Sequence, residues 1–246
     1  MSGTLIRARG LAQRFGGRTL YRDVGFEVAA GEIFVILGGS GCGKSTLMRQ
    51  LVGLQPPSAG SVEVLGADMY AGGADVRARI GVMFQGGALF GSMTLLENVM
   101  LPLQMRTGLP AHARAELARV KLGLVGLGEA AGLIPAEISG GMAKRAAIAR
   151  ALALDPPLLF LDEPSAGLDP ITSAGLDRLI LDLRRDLAAT FVVVTHELDS
   201  ILAIADRCVM LDRQAAGIIA EGDPRTLRET SAVPVVHAFF HRETLA

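Results

Sequence analysis

Apolar and polar positions follow two different periods along this chain, and the change of period divides it. Residues 4–9 and 24–28 alternate like strands on either side of a turn at Gly16-Gly17. Ile33-Phe34-Val35-Ile36-Leu37 is a continuous apolar run, as expected of a strand covered on both faces. It enters a glycine-rich turn, and a helix is predicted from Lys44 to Gly53. Gln55 to Gly60 reads as a loop, Ser61 to Leu65 as an alternating strand, and Ile80 to Phe84 as a short apolar strand ending at Gln85. From about Gly86 to Pro157 strand signals stop and helical periodicity takes over. Thr94-Leu95-Leu96-Glu97 has the form of a capping box, and Pro102 marks a kink or an end. Ala111 to Leu122 is amphipathic, with Arg114, Glu116, Arg119 and Lys121 on its wet side. Pro135 closes a short segment, and Ser139 is a good N-cap for a helix reaching about Leu154. Strands return at Leu158–Leu161 and Phe191–Thr195, with a helix over Ile171–Leu187 between them. Arg207–Leu211 and Gly217–Glu221 complete the sheet. The pattern predicts an α/β chain with a helical subdomain inserted into a sheet domain.

Composition narrows the classes. At 246 residues, half of them hydrophobic, the chain suits one large α/β domain or two small ones. A net charge of -1 gives no argument for nucleic acid or an anionic membrane surface. The arginines near the start (Arg7, Arg9, Arg14, Arg18, Arg22) lack interleaved aromatics and read as a solvated face. Two cysteines, Cys42 and Cys208, make no disulfide framework and suit a reducing compartment. The N-terminus lacks the apolar core of a signal peptide, and no apolar run approaches the ~20 residues that span a bilayer. The mean hydropathy of +0.40 comes from Ala, Leu and Val spread along the chain. The expectation is a soluble chain, free to dock on a membrane protein.

The candidate chemistry begins at Gly38-Gly39-Ser40-Gly41-Cys42-Gly43-Lys44-Ser45-Thr46, which fits G-x-x-x-x-G-K-[ST], the phosphate-binding P-loop. Glycines let successive N–H groups point at one phosphate chain, and the following helix presents its positive end to it. Lys44 reaches the β- and γ-phosphates, and the Ser45 hydroxyl can ligate Mg²⁺. Cys42, close to Lys44 and a helix N-terminus, is expected to favour the thiolate. Phe15 offers either a stacking surface for adenine or ordinary packing. Gln85 is either a polar loop residue or a group that reaches Mg²⁺ or the attacking water. Ser139-Gly140-Gly141-Met142 is either a plain capped helix or one opened for close approach to its N–H groups. Asp162, ending an apolar strand downstream of a P-loop, is the expected second Mg²⁺ contact, and Glu163 the expected general base. Asp169 lies in the loop from Pro164 to Pro170. His196 ends a buried strand on the edge where doubly wound sheets bind ligands, within reach of a γ-phosphate. His112, His237 and His241 read as structural.

Taken in order, Phe15, the P-loop, Gln85, the Ser139–Met142 signature, Asp162-Glu163, the loop Ala166-Gly167-Leu168-Asp169 and His196 closely resemble the ATP-binding-cassette (ABC) ATPase domain over residues 4 to 225. The resemblance implies a P-loop NTPase core of RecA-like type, an antiparallel β subdomain and the inserted helical subdomain. It divides a single domain, 1–246, into a nucleotide-binding core (about 1–85 and 158–225), helices (about 86–157) and a C-terminal extension (226–246). It implies ATP and Mg²⁺, with Glu163, His196 and Gln85 catalytic and Ser45, Gln85 and Asp162 on the metal. Phe15, Gly38 through Thr46, Ser139, Gly140, Gly141, Met142 and Asp169 would bind nucleotide, the signature acting on ATP held by a second copy packed head to tail. Motion passes through the helical subdomain and Gln85 to transmembrane permease subunits, which places the chain peripherally on the cytoplasmic face of the cell membrane. One departure stands out: most cassettes have Gln where this chain has Met142. That form, the run Phe84–Phe90 followed by Thr94–Pro102, the run Asp169-Pro170-Ile171-Thr172 and the tail Val233–Phe240 resemble the branch serving Mla-type lipid transporters, whose partners include an MCE-domain protein. The expected work is phospholipid transport between bacterial membranes, with room for a small soluble regulatory subunit. The alternative is a small-solute (amino acid or ion) importer. A DNA-repair or ribosome-associated cassette would bring long insertions, a second cassette or a basic face, and a non-hydrolysing module would lack Glu163 or His196. The tail, with Val235, Val236, Phe239 and Phe240 at helix-compatible spacings, is expected to dock on the second cassette or a partner, with its own domain as the alternative.

Overall fold

The computed structural model describes residues 3–72 and 74–244. The chain runs β1 (Thr4–Phe15), β2 (Arg18–Ala29), β3 (Ile33–Gly38), α1 (Lys44–Leu51), β4 (Ala59–Val64), β5 (Ala67–Asp68), α2 (Ala74–Arg77) and β6 (Ile80–Met83). The middle holds α3 (Leu95–Arg106), α4 (Ala111–Leu124) and, after two short 3-10 turns, α5 (Gly140–Ala151). Then come β7 (Leu158–Asp162), α6 (Pro170–Leu187), β8 (Thr190–Val194), α7 (Leu198–Ile204), β9 (Arg207–Asp212), β10 (Gly217–Gly222), α8 (Pro224–Thr230) and α9 (Pro234–His241).

Two sheets result. One is antiparallel, in the order β2-β1-β4-β5. The other has the order β10-β9-β3-β8-β7-β6 and is parallel except for β10 at its edge. Strands β3, β7 and β8 are buried at every position because both faces of this sheet are covered. Alternate residues feed two cores. Phe34, Ile36, Phe160 and Val192 face α1 and the antiparallel sheet, where Phe34 stacks on Phe26 with ring centroids 5.1 Å apart. Val35, Leu161 and Val193 face the helices, in one cluster with Val99, Leu122, Ile148 and Ile180. β1 and β2 run well past the predicted 4–9 and 24–28, because register shifts between Ala8 and Gln13 break the two-residue alternation.

The capping box at Thr94 forms, the Thr94 hydroxyl accepting from the Glu97 N–H while Glu97 accepts from the Thr94 N–H. Pro102 does not end its helix; α3 runs through it to Arg106. Lys121 corrects the amphipathic reading of α4. It is buried beside Ala118 and Leu122, and its ammonium pairs with Asp155. The tail also corrects the expectation. α9 lies on its own domain, with Val236 and Phe240 buried in the helix-side core and Arg242 bonded to Asp199 of α7 at 2.9 Å. Val236 and Phe240, four residues apart, share one helix face, and the cluster around α7 and α8 receives it. No helix of the described residues is long and apolar enough to cross a membrane.

Candidate active site

Four neighbouring parallel strands, β3, β8, β7 and β6, end at one edge of the main sheet. They deliver, side by side, the P-loop, His196, Asp162-Glu163 and Gln85. Ligands of open α/β sheets bind at this edge.

The P-loop turns where glycine is required. Gly38 has φ 143°, and a Cβ there would stand 2.2 Å from the Leu211 carbonyl oxygen. Gly43 has φ 107°, and a Cβ there would stand 2.9 Å from the Tyr21 ring. Lys44 Nζ donates to the carbonyls of Gly38 (2.7 Å) and Gly39 (3.2 Å). α1 starts at Lys44 with no side-chain cap, so the N–H groups of Lys44, Ser45 and Thr46 have no partner within the helix. They open into a cleft of about 320 Å³ walled by Phe15, Leu20, Gly41, Gly43 and the first turn of α1. Phe15 is 54% exposed and presents a flat aromatic surface at the cleft edge. Cys42 departs from expectation: its side chain is buried against Gly38, and burial pushes the thiol up despite the pull of Lys44.

The acidic pair stands on the next strands. Asp162 ends β7 opposite Val194, and Glu163 follows with its N–H donating to the Val194 carbonyl at 2.8 Å. Both carboxylates are buried, and Asp162 Oδ1 and Glu163 Oε2 have no partner. Burial first, and the Glu163 charge second, push the Asp162 carboxyl up; Arg49, Lys44 and Lys144 oppose them. Glu163 has φ 48°, unusual for a non-glycine residue and more so before proline. Its Oε1 lies 2.8 Å from His196 Nδ1, so the two side chains predicted separately form one unit. The rest of the His196 ring is exposed.

The signature segment walls a different cleft. Ser139 caps α5, its hydroxyl accepting from the Met142 N–H at 3.3 Å. Gly141 is required by helix packing, since a Cβ there would stand 2.5 Å from Thr172 Cγ2 on α6. Met142 packs, half-buried, on the helix-side core. Gly140 shares a cleft of about 490 Å³ with Gln85, Gly87, Lys144 and Gly167. Asp169 turns inward to its own helix: Oδ1 accepts from the N–H groups of Ile171 and Thr172, both at 3.0 Å, and the Thr172 hydroxyl bonds Oδ2, holding the carboxyl low.

Two residues escaped the motif reading. Lys144 Nζ donates to the carbonyls of Gln85 (2.7 Å) and Glu163 (3.0 Å). Arg150 donates to the carbonyls of Gly87 and Ala88, both at 2.7 Å. Lysine occurs only at Lys44, Lys121 and Lys144, and that scarcity was the one signal in the sequence.

The family model for ABC transporters matches residues 21–166, which takes in the P-loop, Gln85, the signature and the acidic pair. The chain belongs to the ABC transporter ATPase family. Its members bind and hydrolyse ATP, and so does this cassette. It is 40% identical over 243 residues to the probable ribonucleotide transport ATP-binding protein mkl of Mycobacterium leprae, a match covering 97% of this chain and 69% of that protein. It is 40% identical over 229 residues to the intermembrane phospholipid transport system ATP-binding protein MlaF of Escherichia coli K12, covering 91% and 84%. MlaF of Haemophilus influenzae is 38% identical, with 96% of this chain and 90% of that protein covered. Among solved structures, a dimeric ATP-binding cassette in a post-hydrolysis state with ADP and Pi superposes with a TM-score of 0.80, at 29% identity over 89% of this chain and 98% of that one.

The cassette carries another concave feature. A groove of about 390 Å³ runs between α3, β6 and α5, lined among others by Phe90, Leu101, Pro102, Met105, Arg106 and Arg150. Phe90 and Met105 are exposed there, at 51% and 70%.

Proposed function

We propose that this cassette powers phospholipid movement between bacterial membranes, working as one of two copies on the cytoplasmic face of the cell membrane. The observation that carries the cargo is the 38–40% identity to two proteins named as phospholipid transport ATPases, over 84–90% of their length. The division into a nucleotide-binding core, a helical subdomain and a C-terminal extension belongs to this reading; its outermost bounds, 1 and 246, lie outside the described residues.

In this reading the P-loop N–H groups and Lys44 hold the phosphates, and Phe15 stacks on adenine. Glu163 takes a proton from the attacking water with its unpartnered Oε2, while His196 holds Oε1. Ser45, Gln85 and Asp162 offer oxygen ligands, and the orphaned, buried Asp162 Oδ1 is the atom a cation would satisfy. The set therefore fits Mg²⁺, which when bound offsets phosphate charge.

The signature supports the pairing of two cassettes. Gly140 lines a cleft that shares no residue with the one over its own P-loop, which supports a signature that serves nucleotide on a second copy, with Asp169 at the joint. The groove beside Phe90 and Met105 receives the permease, its apolar floor and arginine rim suiting a short helix from a membrane protein. An MCE-domain lipid carrier and a small soluble regulatory subunit complete the assembly, on the likeness to Mla-type systems alone.

A second reading, transport of a nucleotide-like solute, rests on the name of the mycobacterial relatives. Copurification with native membrane partners decides between them. Phospholipid in the solvent extract and an MCE-domain band support the lipid reading. A solute-binding protein with no lipid overturns it and leaves the ATPase untouched.

A further inference from the structure

We propose that Lys144 is a positioning residue that ties the signature helix to the backbone of Glu163 and so sets where the Glu163 carboxylate stands. The inference rests on the reading of Glu163 as the general base. Glu163 is held at an unfavourable φ of 48° directly before Pro164. A residue before proline is normally extended, so this conformation has to be imposed by its surroundings. Three groups of Glu163 are held. The N–H is fixed by the Val194 carbonyl on β8, and the carboxylate by His196. The carbonyl accepts from Lys144 Nζ at 3.0 Å and more weakly from the Ala166 N–H at 3.3 Å. The first two contacts lie within the sheet edge. Lys144 comes from α5, five residues beyond Ser139.

The same ammonium donates to the Gln85 carbonyl at 2.7 Å. Gln85 and Glu163 follow β6 and β7, which are paired neighbours. One side chain thus joins the signature helix, the start of the helical segment and the candidate base. The ammonium bonds both carbonyls at once, so a rotation of α5 against the sheet pulls on both. The position of the signature helix is therefore read at Glu163. The ammonium is half-buried, and its attraction to Glu163 and Asp162 offsets part of the cost of burial.

The test is the ATPase of the full chain assembled with its native permease, comparing Lys144→Met, Lys144→Arg, Glu163→Gln and the Lys144→Met/Glu163→Gln double variant. Glu163→Gln is expected to lower turnover by about 10²–10⁴-fold. Lys144→Met is expected to lower kcat by about 10²-fold with the ATP KM little changed, because it displaces the base without touching nucleotide. Lys144→Arg, which can donate to both carbonyls, is expected to recover most of the rate. In single turnovers the double variant is expected to match Glu163→Gln, since Lys144 acts through Glu163. Should Lys144→Met fail to fold, Lys144→Gln, which keeps one donor, takes its place with a smaller loss of kcat. Full kcat in the Met or Gln variant, a loss carried by KM, no recovery in Arg, or additive losses in the double variant overturns the proposal. Wild-type turnover in Glu163→Gln overturns the reading of the base, and this proposal with it. A dead Glu163→Gln beside a fully active Lys144→Met overturns only the role of Lys144.

Discussion

Removing the Phe240 side chain tests whether the tail belongs to its own domain. Phe240 is 1% exposed, meets Phe239 edge-on with centroids 5.3 Å apart, and shares the helix-side core with Val236. Phe→Ala in a packed core costs about 3–5 kcal/mol. The loss has a ceiling, because α9 has only eight residues and is able to undock without unfolding the sheet. Below that ceiling, roughly 2–4 °C per kcal/mol for a chain near this size gives a fall in Tm of about 6–20 °C. If undocking sets the limit, Tm falls less, and hydrogen exchange over residues 234–241 rises to that of an exposed segment. Calorimetry of the isolated cassette, with exchange on the same samples, reads both. Phe239→Ala, at a half-buried position, is expected to cost clearly less. A Phe240→Ala chain with unchanged Tm and unchanged protection would refute the argument and return the tail to the surface.

Three further outcomes follow from single contacts. Cys42 is expected to react with alkylating reagents far more slowly in the native chain than after unfolding, because its thiol is buried and pushed up; Cys42→Ala stays active, and rapid native labelling would contradict the geometry. Gly141→Ala drives a Cβ into Thr172 Cγ2 and is expected to destabilise by about 1–3 kcal/mol, with Thr172→Ser, which keeps the hydroxyl on Asp169, restoring part of it in a denaturant titration. Asp177 is buried under a hydrogen bond from the Ser200 hydroxyl at 2.9 Å, and burial raises its carboxyl above the ordinary range. Its contribution is full in acid and is lost as pH rises through the raised value, so Asp177→Asn is expected to melt higher than wild type at neutral pH and to lose that advantage in acid; equal melting at neutral pH would count against it.

The sequence announced what neighbours along the chain decide. The apolar runs of β3, β7 and β8 were legible because strands covered on both faces show no alternation to misread. Thr94 and Ser139 were legible because a cap needs only three following residues. Lys121 was misread because a lysine is assigned to water by type, and its partner Asp155 lies 34 residues away. The Cys42 thiol was misread for a related reason. The charge of Lys44 two residues on is visible in sequence, whereas the burial that outweighs it is tertiary. Nothing local distinguishes a tail that folds back from one that reaches out, because the apolar spacing of Val236 and Phe240 is the same in both.

Strand order, which no motif reports, brings the pieces together. In sequence Gln85 precedes Glu163, and His196 comes last, with helices between them. In the sheet β8 lies between β3 and β7, so the register that sets Asp162 against Val194 also sets Val194 against Ile36. Glu163 and His196, one and two residues past that rung, meet at 2.8 Å beside the strand that carries the P-loop. Exchange of β8 and β9 would keep every motif intact and separate His196 from Glu163. The same order leaves β6 outermost, so Gln85 lies where the helical segment leaves the sheet, and the Lys144 side chain of α5 bridges back from it to Glu163. A rotation of the helices against the sheet therefore reaches the acidic pair through Lys144, the lysine that no motif named, by which the signature helix holds the backbone of the candidate base.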